Sequence, residues 1–441
     1  MKRLLLVILL TFSGYIGSFI SPFYGLCIYI WFAYIRAQEW MWGAGWFIAM
    51  RPSLTLAICV IISTLMKGEK LFRGSKISRL LVLLWILLLI SFLDPVDKTT
   101  STMWFDYISK VLIIGFLITG LVVTKKRLVA LLVTICVTIG FYGGKCGLWA
   151  VLKGGGKILQ GPGGMYQDNN TFALAFVMLL PLLYFTHDLI TDVRYLWFKK
   201  GFRVIFFFTI LATIFTYSRG GFLGLVVVGL MINVRSKKKI TTWIFMGLLG
   251  LTVLTLFIPE EYKERISTIF VENEEERDTS SASRLHFWKV AIVMVNDNPL
   301  TGVGLNCYKS AYNQYDFLYG RYGKNRAVHN SFLEFLADNG YPAFLIFCLL
   351  FFISIRTCMK LRKAAYKRSD LQWIVSVSNM LEISLWGFCV SGMFVSLAYA
   401  DLLYHEFCIV AAFEQIAKRH LSMSTEIKKE QPELEQKTLI I

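Results

Sequence analysis

The chain has 441 residues, of which 56% are hydrophobic, 15% aromatic and only 17% charged, with a mean hydropathy of +0.57. This composition excludes an ordinary soluble globular domain and indicates an integral membrane protein. Lys plus Arg (46) against Asp plus Glu (29) gives +17, a surplus that in a soluble protein would point to nucleic acid and that here is explained by topology.

Apolar segments run over 4–20, 22–35, 53–66, 80–93, 108–124, 128–150, 170–186, 202–217, 221–233, 240–258, 331–355, 374–398 and 401–417. At roughly 20 residues per span they predict an all-α polytopic membrane protein of about twelve transmembrane helices. The expected divisions are N-terminal transmembrane helices over 1–258, a large outer loop with amphipathic helices over 259–330, C-terminal transmembrane helices over 331–420, and a tail over 421–441. The tail is polar and free of aromatics, so it is expected to be disordered. Met1-Lys2-Arg3 and the apolar run after it resemble the start of a signal peptide, but no small-x-small cleavage site follows, so retention is expected.

Every second connection is basic: residues 67–79, 125–127, 199–203, 235–239, 356–368 and 418–419. By the positive-inside rule these face the cytoplasm and anionic lipid head groups. The connections at 94–107, 151–169, 218–220 and 259–330, and the turn near Asp401, then lie outside. To reconcile the N-terminal cations with this count, 4–35 is read as one crossing broken near Ser21-Pro22, with both termini cytoplasmic. The nine cysteines are scattered without a CxxC pair, which indicates neither a zinc site nor a disulfide framework. No fixed-period repeat is visible, which disfavours an inverted-repeat transporter.

Chemistry must therefore sit on loops and span ends. Of five histidines, His187 and His420 fall beside cytoplasmic connections, leaving His286, His329 and His405. His329 stands in Val328-His329-Asn330-Ser331, where the outer loop turns into a span; a histidine there serves equally well as an interfacial cap. Arg219, in Ser218-Arg219-Gly220-Gly221, occupies a short polar joint between two apolar runs. A cation so near hydrocarbon is costly unless it snorkels or meets an anion. Arg284 lies one turn from Trp288 on the same face of an amphipathic helix; by itself it reads equally as a solvated loop arginine. Together the two arginines and the histidine suit a polyanionic lipid head group. Guanidinium forks match phosphate oxygens, neutral imidazole accepts a hydroxyl proton, and a departing diphosphate needs neutralisation that arginines supply without a metal.

The glycine-rich stretch from Gly154 to Gly164 lacks the Walker pattern and lies on the wrong side for ATP. It reads as a re-entrant or flexible turn. Lys145 and Lys157 are secondary candidates for the phosphates, and Asp168, Asn169, Asn170, Trp288 and Asn330 for glycan or acceptor. His286 is a candidate for a structural role.

Taken in order, Ser218-Arg219-Gly220-Gly221, Ser283-Arg284-Leu285-His286-Phe287-Trp288, Asn298-Pro299-Leu300-Thr301-Gly302-Val303-Gly304, His329-Asn330-Ser331-Phe332-Leu333 and Asn339-Gly340-Tyr341 resemble the O-antigen ligase and polymerase superfamily. Tyr142-Gly143-Gly144-Lys145, Gly161-Pro162-Gly163-Gly164 and Asp168-Asn169-Asn170 through Leu180-Pro181-Leu182 resemble, more narrowly, the O-glycosylation ligases associated with exosortase systems. The resemblance covers roughly residues 50 to 415. It implies a GT-C-like helical transferase of the bacterial inner membrane. Such an enzyme takes a glycan from undecaprenyl diphosphate at the periplasmic face, with inversion, no metal and no cofactor, and transfers it to lipid A-core in lipopolysaccharide biosynthesis. The essential arginines and histidine of the family map onto Arg219, Arg284 and His329. Two departures stand out: Tyr341-Pro342 where many members carry a second glycine and a small residue, and the acidic run Glu272 to Glu276. The alternatives are a polysaccharide polymerase, a protein O-oligosaccharyltransferase, and a transporter of lipid-linked glycans. The expected partners are the lipid-linked donor, a hydroxyl acceptor and membrane lipids, with no nucleic acid.

Overall fold

The computed structural model describes residues 2–36, 45–190, 196–236 and 279–438. The apolar segment at 240–258 and the acidic run Glu272 to Glu276 lie outside the described residues. In hydrocarbon a backbone must satisfy its own N–H and C=O groups, and the apolar runs accordingly form helices. These are α1 (Lys2–Ile20), α2 (Pro22–Ile35), α3 (Gly45–Ala49), α4 (Pro52–Met66), α5 (Lys76–Leu93), α6 (Lys98–Leu121), α7 (Lys125–Leu152), α8 (Asn169–Leu189), α9 (Leu196–Phe215), α10 (Arg219–Arg235), α11 (Thr279–Asp297), α12 (Tyr308–Tyr315), α13 (Ser331–Ala365), α14 (Gln372–Gly392) and α15 (Asp401–Thr438). No strand occurs among the described residues. Among the described residues six helices are long and apolar enough to cross a membrane (α5, α6, α7, α8, α13, and α14 with the turn before it), and α1, α2 and α4 are shorter apolar helices.

Side-chain caps set many of the helix starts: Ser75, Asp97, Thr124, Asp168, Ser218 and Asn330 each accept a hydrogen bond from the first turn. The basic connections fall at one end of the bundle, where α4, α6, α10 and α13 finish and α5, α7, α9 and α14 begin. The opposite end gathers the α7–α8 loop, the α9–α10 joint, α11, α12 and the start of α13. Helix α8 is central, with 83% of its apolar window buried against 33% for α5; it packs on α7, α9, α10 and α14.

Three expectations change. Residues 4–35 are two antiparallel helices rather than one broken crossing, since Gly14 meets Ile28, Gly17 meets Tyr24 and Gly25 meets Ser18. Glycines on facing positions let the two backbones close into a hairpin, and Ser21 caps α2 with Pro22 at its first turn. The hairpin returns the chain N-terminus toward the end occupied by Ile35, whose carbonyl accepts from the Tyr142 hydroxyl. Second, α15 continues to Thr438, so nearly all of the tail expected to be disordered is helical; its Glu, Lys and Gln are polar yet good helix formers. Third, α13 is two helical segments meeting at Gly340 (φ 74°, ψ 177°). The freed carbonyls are taken by the loop after α11: Val303 N–H donates to Ala337 O and Gly304 N–H to Asp338 O, both at 2.9 Å. Tyr341 N–H returns to Pro299 O at 2.8 Å, and its hydroxyl donates to Asn296 at 2.9 Å. The Tyr341-Pro342 departure thus opens the second segment of a helix that is already broken, where a proline is tolerated.

Candidate active site

His329 is the residue before the cap of α13. Its φ of 52° is left-handed, a strain that persists only where the surroundings impose it. They do so from three sides. Its N–H donates to Ser396 Oγ at 3.0 Å, the preceding Val328 carbonyl accepts from the Trp288 indole at 3.1 Å, and Asn330 caps α13 through Phe332 and Leu333. The imidazole is half-buried. Burial first, then the positive charge of Arg284, lowers its pKa from the ordinary 6.5, with Asp168 opposing and Arg326 adding to the effect. The ring is thereby kept in its neutral, proton-accepting form near pH 7. Arg284, on α11, and Asp168, at the cap of α8, are thus electrostatic neighbours of His329.

Arg219 opens α10, with Ser218 as the cap. The glycines after it allow the helix to press inward: a Cβ at Gly220 would stand 2.7 Å from Phe394 Cβ, and one at Gly221 2.6 Å from Ala173 Cβ. The chain bearing Phe394 continues to Ser396, so one segment abuts the Arg219 turn and holds His329. The glycine-rich loop docks on the same joint. Ile158 N–H donates to Phe215 O at 2.8 Å, and Lys157 lies over the Tyr217 ring at 5.7 Å. Lys157 is therefore beside the α9–α10 joint that Arg219 follows, whereas Lys145 is an exposed residue of α7.

The remaining candidates divide. Asn169 donates to Thr216 O at 2.8 Å and ties α8 to the α9–α10 joint. Asn170 bonds Asp168 and Asn169. The Asn330 side-chain oxygen caps α13 and the Trp288 indole N–H bonds Val328 O, on either side of His329 in the chain. His286, buried among Phe317 and Tyr322, bonds Asp316 at 2.7 Å. His405 lies buried on α15, with Tyr34 Oη 2.7 Å from Nδ1. All nine cysteines are free, and among the described residues no three His, Cys, Asp or Glu side chains cluster to hold a metal ion.

Beside this constellation lies a cavity of about 500 Å³. Asp168, Gln160 and Gln167 line it from the α7–α8 loop, Glu334 from the first turn of α13, Ser396 from the segment behind His329, and Trp104 from α6. Glu334 is 8% exposed and accepts from Ala398 N–H at 2.9 Å. Sequence reasoning missed Glu334, Ser396 and Trp104. Glu334 had a legible signal, one helical turn beyond the cap Asn330; the other two are brought in only by tertiary packing.

The fold and site define a polytopic helical membrane protein with a strained histidine, an arginine that it senses and an adjoining polar cavity at the end opposite its basic loops. Residues 204–348 match the family model described as O-antigen ligase, and residues 1–191 match a family of unknown function. The first match, over about a third of the chain, supports a relation to the O-antigen ligase superfamily. That segment contains Arg219, Arg284 and His329. No curated protein matches the chain.

Proposed function

We propose that the chain is an O-antigen-ligase-type inverting glycosyltransferase, GT-C-like in architecture, that moves a glycan from undecaprenyl diphosphate to an acceptor hydroxyl of lipid A-core at the periplasmic face of the inner membrane. Arg219 and Arg284 hold the donor diphosphate, with Lys157 beside them and Lys145 farther out on α7. His329 takes the proton of the acceptor hydroxyl as its oxygen attacks the anomeric carbon. The bond from that carbon to the diphosphate oxygen breaks on the opposite face, and the electron pair leaves with undecaprenyl diphosphate, its charge met by the arginines. The observation that carries this reading is the half-buried, strained imidazole whose proton affinity is lowered by burial and then by the Arg284 cation, within the segment that matches the ligase family. The alternation of basic connections supports the periplasmic orientation, and the narrower kinship with exosortase-associated ligases rests on the glycine-rich motifs of the α7–α8 loop.

The test is transfer by purified protein from undecaprenyl-diphosphate glycan to lipid A-core, with chelator and without nucleotide, following release of undecaprenyl diphosphate and the mass of the product. A glycan-capped core supports the proposal. Polymer on the carrier or a modified protein hydroxyl would move the same chemistry to a polymerase or protein transferase, and an intact donor would refute it.

A further inference from the structure

A second cavity, of about 510 Å³, lies between α2, α4 and α6. It shares no lining residue with the one beside His329, and its lining falls within residues 1–191, the segment that matches a family of unknown function. Its depth follows from helix length. Helix α4 has 15 residues, about 22 Å at 1.5 Å per residue, against roughly 30 Å of hydrocarbon. Arg51, at its start, therefore stops short of the membrane face opposite the basic loops. On α6, Asp106 and Lys110 stand at a similar level, roughly 22 and 17 Å from the basic end at Leu121. All three line the cavity. Lys110 donates to Asp106, and the two side chains are 51% and 61% exposed. Arg51 is exposed and held at φ 48°, and its side chain makes no capping hydrogen bond; it forms no ion pair among the described residues. Toward the basic end the lining turns apolar through Ile58, Ile61 and Ile113 and runs into the exposed face of α4 at Ile62 and Leu65. The cavity is thus a groove with a charged head and an aliphatic floor, open to lipid.

We propose that this groove binds one phospholipid carrying a single negative charge, its phosphodiester on Arg51 and Lys110 and its acyl chains running over Ile58, Ile61 and Ile113 into the bilayer. Charges at membrane depth need partners, and the described wall carries two cations against one carboxylate, a net charge of +1. A phosphodiester with an uncharged head group balances that charge. A zwitterionic lipid adds an ammonium that meets only a carboxylate already held by Lys110, and a polyprenyl diphosphate brings a second negative charge with no cation left for it. The guanidinium fork of Arg51 matches phosphate oxygens, and Lys110 keeps two N–H donors beyond the one given to Asp106. The site does not depend on the transfer reaction proposed above.

The test is native mass spectrometry of the full-length protein released from mixed micelles that hold phosphatidylglycerol and phosphatidylcholine of the same acyl chains at equal concentration. One phosphatidylglycerol is expected to stay bound, in at least about tenfold excess over phosphatidylcholine. Undecaprenyl diphosphate, for which the ligase reading provides a separate site, should leave that lipid in place. Arg51→Gln should bring the two phospholipids level, whereas Lys98→Gln, which removes a cation held over Phe92 outside the groove, should leave the preference unchanged. Equal retention of the two phospholipids by the wild type would overturn the proposal. So would a preference weakened equally by both variants, the mark of diffuse attraction to a chain of net charge +17. Displacement of phosphatidylglycerol by undecaprenyl diphosphate would also overturn it, giving the groove to the carrier lipid instead. The wild-type competition needs no variant, so it decides the matter even where Arg51→Gln fails to fold.

Discussion

At the basic end of the bundle, Arg127 clasps Glu69 through two hydrogen bonds of 2.7 and 3.0 Å, and Glu382, 2% exposed, lies between Arg235 and Arg362. At the opposite end the carboxyl groups do other work: Asp168 caps α8, Glu334 binds a backbone N–H, and the charge of Arg284 is felt by a histidine. Charge at the first end ties helices together. At the second it sets the proton affinity of a strained side chain and leaves a polar cavity. The difference shows why the count of cations along the chain marks one end of the bundle but not the site.

The largest effect expected is that of His329→Ala. Loss of a positioned base should lower transfer by about 10² to 10⁴, read as release of undecaprenyl diphosphate, with thermal unfolding in detergent unchanged; a folded variant with wild-type turnover would end the assignment. The opposite pattern is expected of Arg362→Ala, which leaves the buried Glu382 with Arg235 alone. Breaking such a pair costs about 3–5 kcal/mol, seen as a lower unfolding temperature with activity per folded molecule retained. Trp288→Phe tests whether a hydrogen bond to Val328 O positions His329. It should cost about 1 kcal/mol of stability and lower turnover at saturating donor while leaving KM for donor nearly constant.

Acid should separate the two ends. Because burial and Arg284 lower the His329 pKa below 6.5, the active neutral form persists through neutrality, and turnover should fall only as pH drops below that value. Replacing Arg284 with Ala removes a cation, so the acid limb of whatever activity remains should move to higher pH; an unmoved limb would show that His329 does not sense Arg284. At the basic end, the Arg127 hydrogen bond holds the Glu69 carboxyl below its ordinary 4.5. That contribution to stability is present above the unfolded pKa and is lost as pH falls through the folded one, so weakening of this end is expected at lower pH than loss of activity.

Much of the fold was legible because hydrophobic runs and cap residues act locally: the starts at Ser75, Thr124, Asp168, Ser218 and Asn330 can be read within four residues of chain. The hairpin of α1 and α2 was not, because charge counting places the loop Ser21-Pro22 by rule whereas small residues on facing helices place it by contact. The site divides in the same way. His329, Arg219 and Arg284 stand out as polar groups beside apolar runs. Asn169, Asn170, Trp288 and Asn330 have partners within the fold that the sequence did not show, since a backbone group needing a partner competes for the same side chains.

By itself the amino-acid order determined that this chain lives in a membrane as a bundle of helices, and that its candidate cations and histidine fall in the connections opposite the basic ones, because apolar length and loop charge are additive properties of short segments. Tertiary structure alone decided that the Pro299–Gly304 loop would fill the break at Gly340 and that Trp288 and Ser396 would hold His329. It also decided that Glu334 and Asp168 would face one cavity. Each of these depends on backbone groups far apart in sequence finding the only partners left once water is excluded.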